Sequence, residues 1–183
     1  MNSLNAGVLL LGAYLASYLA SCQTPLSHWL GVQLDLRPAL MVYCGLYADW
    51  TTLTIAAVAA GVWFDALSAN RLAVSILPLF LVAFCVRINR GLILREQRYA
   101  QFVLGVIASA AAPALTVLLL FGTGQTPLIG WGSVGPWLVM TLVGGGLTPV
   151  LFWLFERFRL AFTYQAVSES SFRPDREIKR GRG

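Results

Sequence analysis

The chain has 183 residues, of which 57% are hydrophobic and 11% charged, with a mean hydropathy of +0.70. Water-soluble domains carry about 25% charged residues, and one core of this size cannot hide so much apolar surface. An ordinary soluble domain is therefore excluded, and lipid is the expected solvent. The formal net charge is +5, from 13 Lys and Arg against 8 Asp and Glu. The basic residues sit at the edges of apolar segments, where they report membrane orientation rather than nucleic-acid binding.

A bilayer core takes about 20 helical residues to cross. Six apolar runs are candidates, at residues 5–22, 38–48, 53–67, 72–86, 101–121 and 136–155. The first carries Gly12, Ala16 and Ala20 at four-residue spacing, a stripe that lets helices approach closely, within the bundle or onto another subunit. It ends on Leu19-Ala20-Ser21-Cys22, the form of a lipoprotein cleavage box. The residues ahead of the run lack the Lys or Arg of a secretory leader, so an uncleaved first helix is expected. His28, the one histidine, reads as a loop or interface residue rather than a catalyst.

The second run is the shortest. Extended into its flanks it spans; otherwise it is re-entrant. Asp49-Trp50-Thr51-Thr52 after it reads as a tight inner turn. The third run holds Ala56, Ala60 and Asp65, the one charged residue inside the six runs. A carboxylate at the bilayer centre costs on the order of 3 kcal/mol, so it normally faces a bundle interior or a partner. Two readings stay open for Asp65, an inter-helical or functional role and an interfacial position at the helix end. Arg71, six residues on, is placed to pair with Asp65 or with a partner protein.

After the fourth run come Arg87, Arg90, Arg95 and Arg98, which fall within about 140° of a helical wheel. One face of an interfacial helix there would meet anionic headgroups or an acidic partner, or serve topology alone. The fifth run adds Gly105, Ser109 and Pro113 as another small-residue stripe. Gly130, Gly132 and Gly135 satisfy a dinucleotide-type spacing, but between two apolar runs they read as a flexible turn. Beyond residue 155, Phe155, Phe158 and Phe162 recur at helical spacing around Arg157 and Arg159, an interfacial extension ahead of a polar, basic tail expected to be disordered.

Most of the basic residues lie in the loop holding Arg87 to Arg98 and in the segment after residue 155, so both are expected inside. Counting back gives six spans with both termini inside: a membrane domain over residues 1–155 and a cytoplasmic segment over residues 156–183. The fold class expected is an all-α integral membrane protein, a six-helix transmembrane bundle. Cys22, Cys44 and Cys85 are too few and too scattered for a disulfide framework or a zinc site. No phosphate loop, nucleophile elbow or paired intramembrane carboxylates occur. Neither enzyme chemistry nor a cofactor is expected.

Three stretches carry a family likeness. Arg37-Pro38-Ala39-Leu40 opens the second helix, Gly61-Val62-Trp63-Phe64-Asp65-Ala66-Leu67-Ser68 crosses the end of the third, and the arginine cluster ends in Leu94-Arg95-Glu96. Together they resemble the bacterial rod shape-determining protein MreD family over roughly residues 37 to 105. The chain departs from that pattern at Ala69, Arg71 and Ala73, where the family has Gly, Pro and Gly. The resemblance implies a non-enzymatic, multi-pass subunit of the cytoplasmic (inner) membrane. It would act in the cell-elongation complex with the bitopic MreC, the filament MreB, the glycosyltransferase RodA and a class B penicillin-binding transpeptidase, directing side-wall peptidoglycan synthesis. It also implies a likeness in fold to the S-components of energy-coupling vitamin transporters, whose first helix docks a coupling subunit through an A-x-x-x-A face that Ala16 and Ala20 would match. A transporter S-component is the alternative function. The small-residue positions Gly12, Ala16 and Ala20, with Asp65 and Arg71, are the candidate partner or inter-helix contacts, and Arg87, Arg90, Arg95 and Arg98 the candidate cytoplasmic docking surface.

Overall fold

In the computed structural model the described residues are 3–21, 35–68, 74–91, 93, 97–124 and 130–163. They form six α-helices: α1 (Ser3–Ser21), α2 (Arg37–Tyr47), α3 (Trp50–Leu67), α4 (Ile76–Ile88), α5 (Arg98–Gly122) and α6 (Val134–Thr163), with short 3-10 turns at Asn89–Gly91 and Trp131–Ser133. No strand occurs among the described residues. The glycine-rich stretch around Gly130 and Gly132 is accordingly a turn into α6, with no strand ahead of it.

Each of the six apolar runs contributes a helix, but the helices are not equivalent. Residues 50–67, 98–122 and 134–158 are long and apolar enough to cross a membrane. The 11 residues of α2 and the 13 of α4 rise only ~16 and ~20 Å at 1.5 Å per residue, short of the ~30 Å hydrocarbon layer. The expectation of six spans, the second the weakest, is corrected: among the described residues three helices are long and apolar enough to cross, and the apolar part of α1, Gly7–Ser21, is also shorter.

The reason lies in where α2 sits. Arg37 through Leu46 are all buried, and α2 touches each of the other five helices. It is the core of the bundle rather than a lipid-facing rod, so it is apolar all round. Leu40, Met41, Val42, Cys44 and Leu46 are sealed within it. Its start follows from Pro38 in the first turn, where the missing N–H costs nothing. Its end is set by Ala48 and Asp49, both in extended conformation. The turn expected over residues 49–52 is thus confined to residues 48–49, and Trp50 to Thr52 already belong to α3.

Small side chains decide the other contacts, because in lipid shape rather than hydrophobicity brings helices together. On α1, Ala13, Ala16 and Ala20 are buried, as are Ala56, Ala57 and Ala60 on α3. Ser17 Oγ donates to the carbonyls of Ala13 (2.8 Å) and Ala60 (3.1 Å), which pins the two helices. A Cβ at Gly12 would come within 2.7 Å of the Phe155 ring, so the whole stripe is spent inside the bundle. The α5–α6 seam is tighter still. A Cβ at Gly105 would collide with Thr148, one at Gly144 with Ser109, and one at Gly145 with Val106. Rising numbers on α5 meet falling numbers on α6, so the pair is antiparallel.

Three threonine hydroxyls of α5 and α6 are satisfied within their own helix, as apolar surroundings favour, while the buried Ser109 Oγ on α5 makes no hydrogen bond. Thr116 donates to Ala112 (2.9 Å), Thr141 to Trp137 (2.8 Å) and Thr148 to Gly144 (2.8 Å). The outward faces of α5 and α6 are large and apolar, with Ile107, Leu118, Leu142 and Val150 all more than half exposed. The last helix continues past residue 155 to Thr163.

Candidate functional site

At the end of the bundle where α2 and α4 begin and α3 finishes, charge is buried. Asp35 precedes α2 and Arg37 is its first residue. One carboxylate oxygen of Asp35 accepts from the backbone N–H of Arg37 (3.0 Å) and from its Nε (2.7 Å), and the other accepts from Nη2 (2.7 Å). Both side chains are only 9% exposed. The bond to the backbone N–H satisfies one of the donors that a helix N-terminus leaves open, and the paired side-chain bonds form the planar fork that Arg alone offers a carboxylate.

The guanidinium also lies 3.3 Å from the ring centroid of Phe64 on α3, a desolvated cation–π contact. Nη1 is the one guanidinium nitrogen without a hydrogen-bond partner. Arg37 is the first residue of its helix and almost wholly enclosed. A bidentate partner two residues away and an aromatic face together make that burial affordable.

Asp65 follows Phe64 and points elsewhere. It is 2% exposed, which removes the interfacial reading. One carboxylate oxygen, Oδ2, accepts the backbone N–H of Ser75 (3.2 Å), the residue before α4, and Oδ1 has no partner. An acid in the last turn of its own helix is unfavourably placed, but at the N-terminus of the next it is favourable. Asp65 thus ties the end of α3 to the start of α4. Gly61, one turn earlier, lets the same two helices close up, since a Cβ there would come within 2.6–2.9 Å of Ile76. The suggested partner Arg71 lies outside the described residues, as do Arg95, Cys22 and His28.

Beside this knot is a cavity of about 200 Å³, lined by Asp35, Arg37, Phe64 and Ser75, by Pro78 and Leu79 of α4, and by residues of α5 and α6 that include Ala112, Thr116 and Met140. Asp35, Arg37 and Phe64 are not among the site residues expected from the sequence. The readable signal was local: an acid two residues before a base at a Pro-marked helix start.

The opposite end of α4 carries the basic cluster, but not on one helix. Arg87 lies in the last turn of α4, Arg90 in the following 3-10 turn and Arg98 at the first position of α5. The helical-wheel alignment of these arginines is therefore corrected. Arg87 donates to the carbonyl of Ala48 and lies 5.4 Å from the Trp50 ring, a structural role at the α2–α3 turn. Arg90 and Arg98 are exposed.

Comparison of the chain with protein-family models, curated proteins and solved structures returns no match. The functional reading therefore rests on the residues and their geometry.

Proposed function

We propose that this chain is a non-enzymatic scaffold subunit of a bacterial cell-elongation complex, related to the MreD family, that organises side-wall peptidoglycan synthesis from the inner membrane. One observation carries the reading. Two of the three stretches that bear the resemblance meet at one buried knot: Arg37 of the first stacks on Phe64 of the second, and Asp65 beside it anchors α4. Residues with that placement hold a bundle in one shape, and a fixed shape is what a scaffold presents to its neighbours. The broad apolar faces of α5 and α6 offer area to lipid and to partner helices.

On this reading the six helices form an S-component-like bundle with both termini in the cytoplasm. The exposed Arg90 and Arg98, with Arg95, face the cytoplasmic side. The partners are an MreC-like bitopic protein and, through the complex, MreB, RodA and a class B transpeptidase. Depletion of the chain in its native cell tests the proposal: rods should round and swell. Normal shape with lost uptake of one vitamin would replace it with the transporter reading.

A further inference from the structure

We infer that the cavity beside Arg37 is a binding site for a compact, uncharged group bearing a carbonyl-type hydrogen-bond acceptor on an apolar body. Three observations converge on that chemistry. The first is size. An apolar cavity of about 150 Å³ accepts benzene, so about 200 Å³ takes a somewhat larger group, of about eight to ten non-hydrogen atoms.

The second is unspent donor capacity. Arg37 forms part of the cavity wall, its side chain is 9% exposed, and Nη1 makes no hydrogen bond. A buried donor without a partner is costly, and an acceptor seated against the guanidinium would relieve that cost. Thr116, also in the wall, has already given its proton to the Ala112 carbonyl and does not compete for the acceptor. The third is charge balance. Asp35 neutralises Arg37 through both of its oxygens, so a second anion would enter as an uncompensated buried charge. The site selects an ester, amide or ketone oxygen over a carboxylate or phosphate. Pro78, Leu79 and Val117 supply the apolar part of the wall.

Two sources carry such a group, the ester region of a membrane lipid and a small free solute. The test uses the full chain in dodecyl maltoside micelles and fluorine NMR with three probes of matched size: para-fluoroacetophenone, para-fluoroethylbenzene and para-fluorobenzoate. The ketone should bind about tenfold or more tighter than the hydrocarbon, the discrimination expected for one hydrogen bond from a charged donor, and the benzoate should be weakest. Ala112→Leu, or Val117→Phe if the first variant misfolds, should fill the cavity and abolish ketone binding. Equal binding of ketone and hydrocarbon, preference for benzoate, or full ketone binding by a folded cavity-filling variant would each overturn the inference. Native mass spectrometry then assigns the source. A phospholipid adduct on the wild type that is lost in the filled variant identifies the lipid, and ketone binding without any such adduct identifies the solute.

Discussion

The Asp35–Arg37 pair is the feature most open to a quantitative test, because breaking it and removing it should have different consequences. Both side chains are nearly sealed from solvent, so deleting one partner strands a charge and should cost about 3–5 kcal/mol. Arg37→Met removes two charge-assisted bonds and the contact with Phe64, and leaves Asp35 only the backbone N–H of residue 37. Asp35→Asn keeps the oxygen that accepts from that N–H and from Nε, but it removes the acceptor of Nη2 and the compensating charge, so the guanidinium stays buried as an unneutralised cation beside Phe64, a contact of about 2 kcal/mol when desolvated. Each single variant is therefore expected to lose ~3 kcal/mol or more. The double variant holds no unpaired charge and should lose less than either single one, which corresponds to a coupling of at least ~3 kcal/mol. Unfolding of the purified chain in dodecyl maltoside titrated with sodium dodecyl sulfate, followed by tryptophan fluorescence, gives the four free energies. Costs that add to within about 0.5 kcal/mol would mean that the two groups do not depend on each other and would refute the burial argument.

Three further outcomes follow from the packing. Gly144→Leu should destabilise the bundle by ~1–3 kcal/mol or more through the clash with Ser109, whereas the same substitution at Gly146, where the added Cβ meets nothing, should change the same unfolding curve little. Asp65→Leu should lower stability by about 1–3 kcal/mol because the Ser75 N–H loses its acceptor, and Asp65→Asn should recover most of that loss; equal losses in the two variants would remove the helix-anchoring role. In a Cys22→Ser background, N-ethylmaleimide should label exposed Cys85 and spare buried Cys44 in micelles. Rapid modification of both thiols, read by intact mass, would contradict the central position of α2.

Much of the bundle was legible from one-dimensional patterns. Apolar runs, Pro38 at a helix start and the polar stretch Asp49-Trp50-Thr51-Thr52 located the helices, whose bounds differ from the runs by several residues at some ends. The isolation of Asp65 in apolar sequence marked it as a residue needing an explanation, because a charge in lipid is costly, but left an inter-helical and an interfacial position equally open. The small-residue stripe of Gly12, Ala16 and Ala20 announced a close helix contact without saying whose.

Which faces turn inward was a different matter. In water the contrast between apolar core and polar surface writes the buried face into the periodicity, but lipid is as apolar as a core and erases that contrast. So the enclosure of α2 by five neighbours, the seating of Gly105 and Ser109 against Thr148 and Gly144, and the stacking of Arg37 on Phe64 came from shape fit between segments distant in the chain. Helix positions are local properties of residue type. The buried knot and the cavity beside it exist only because packing brings residues of five of those helices together.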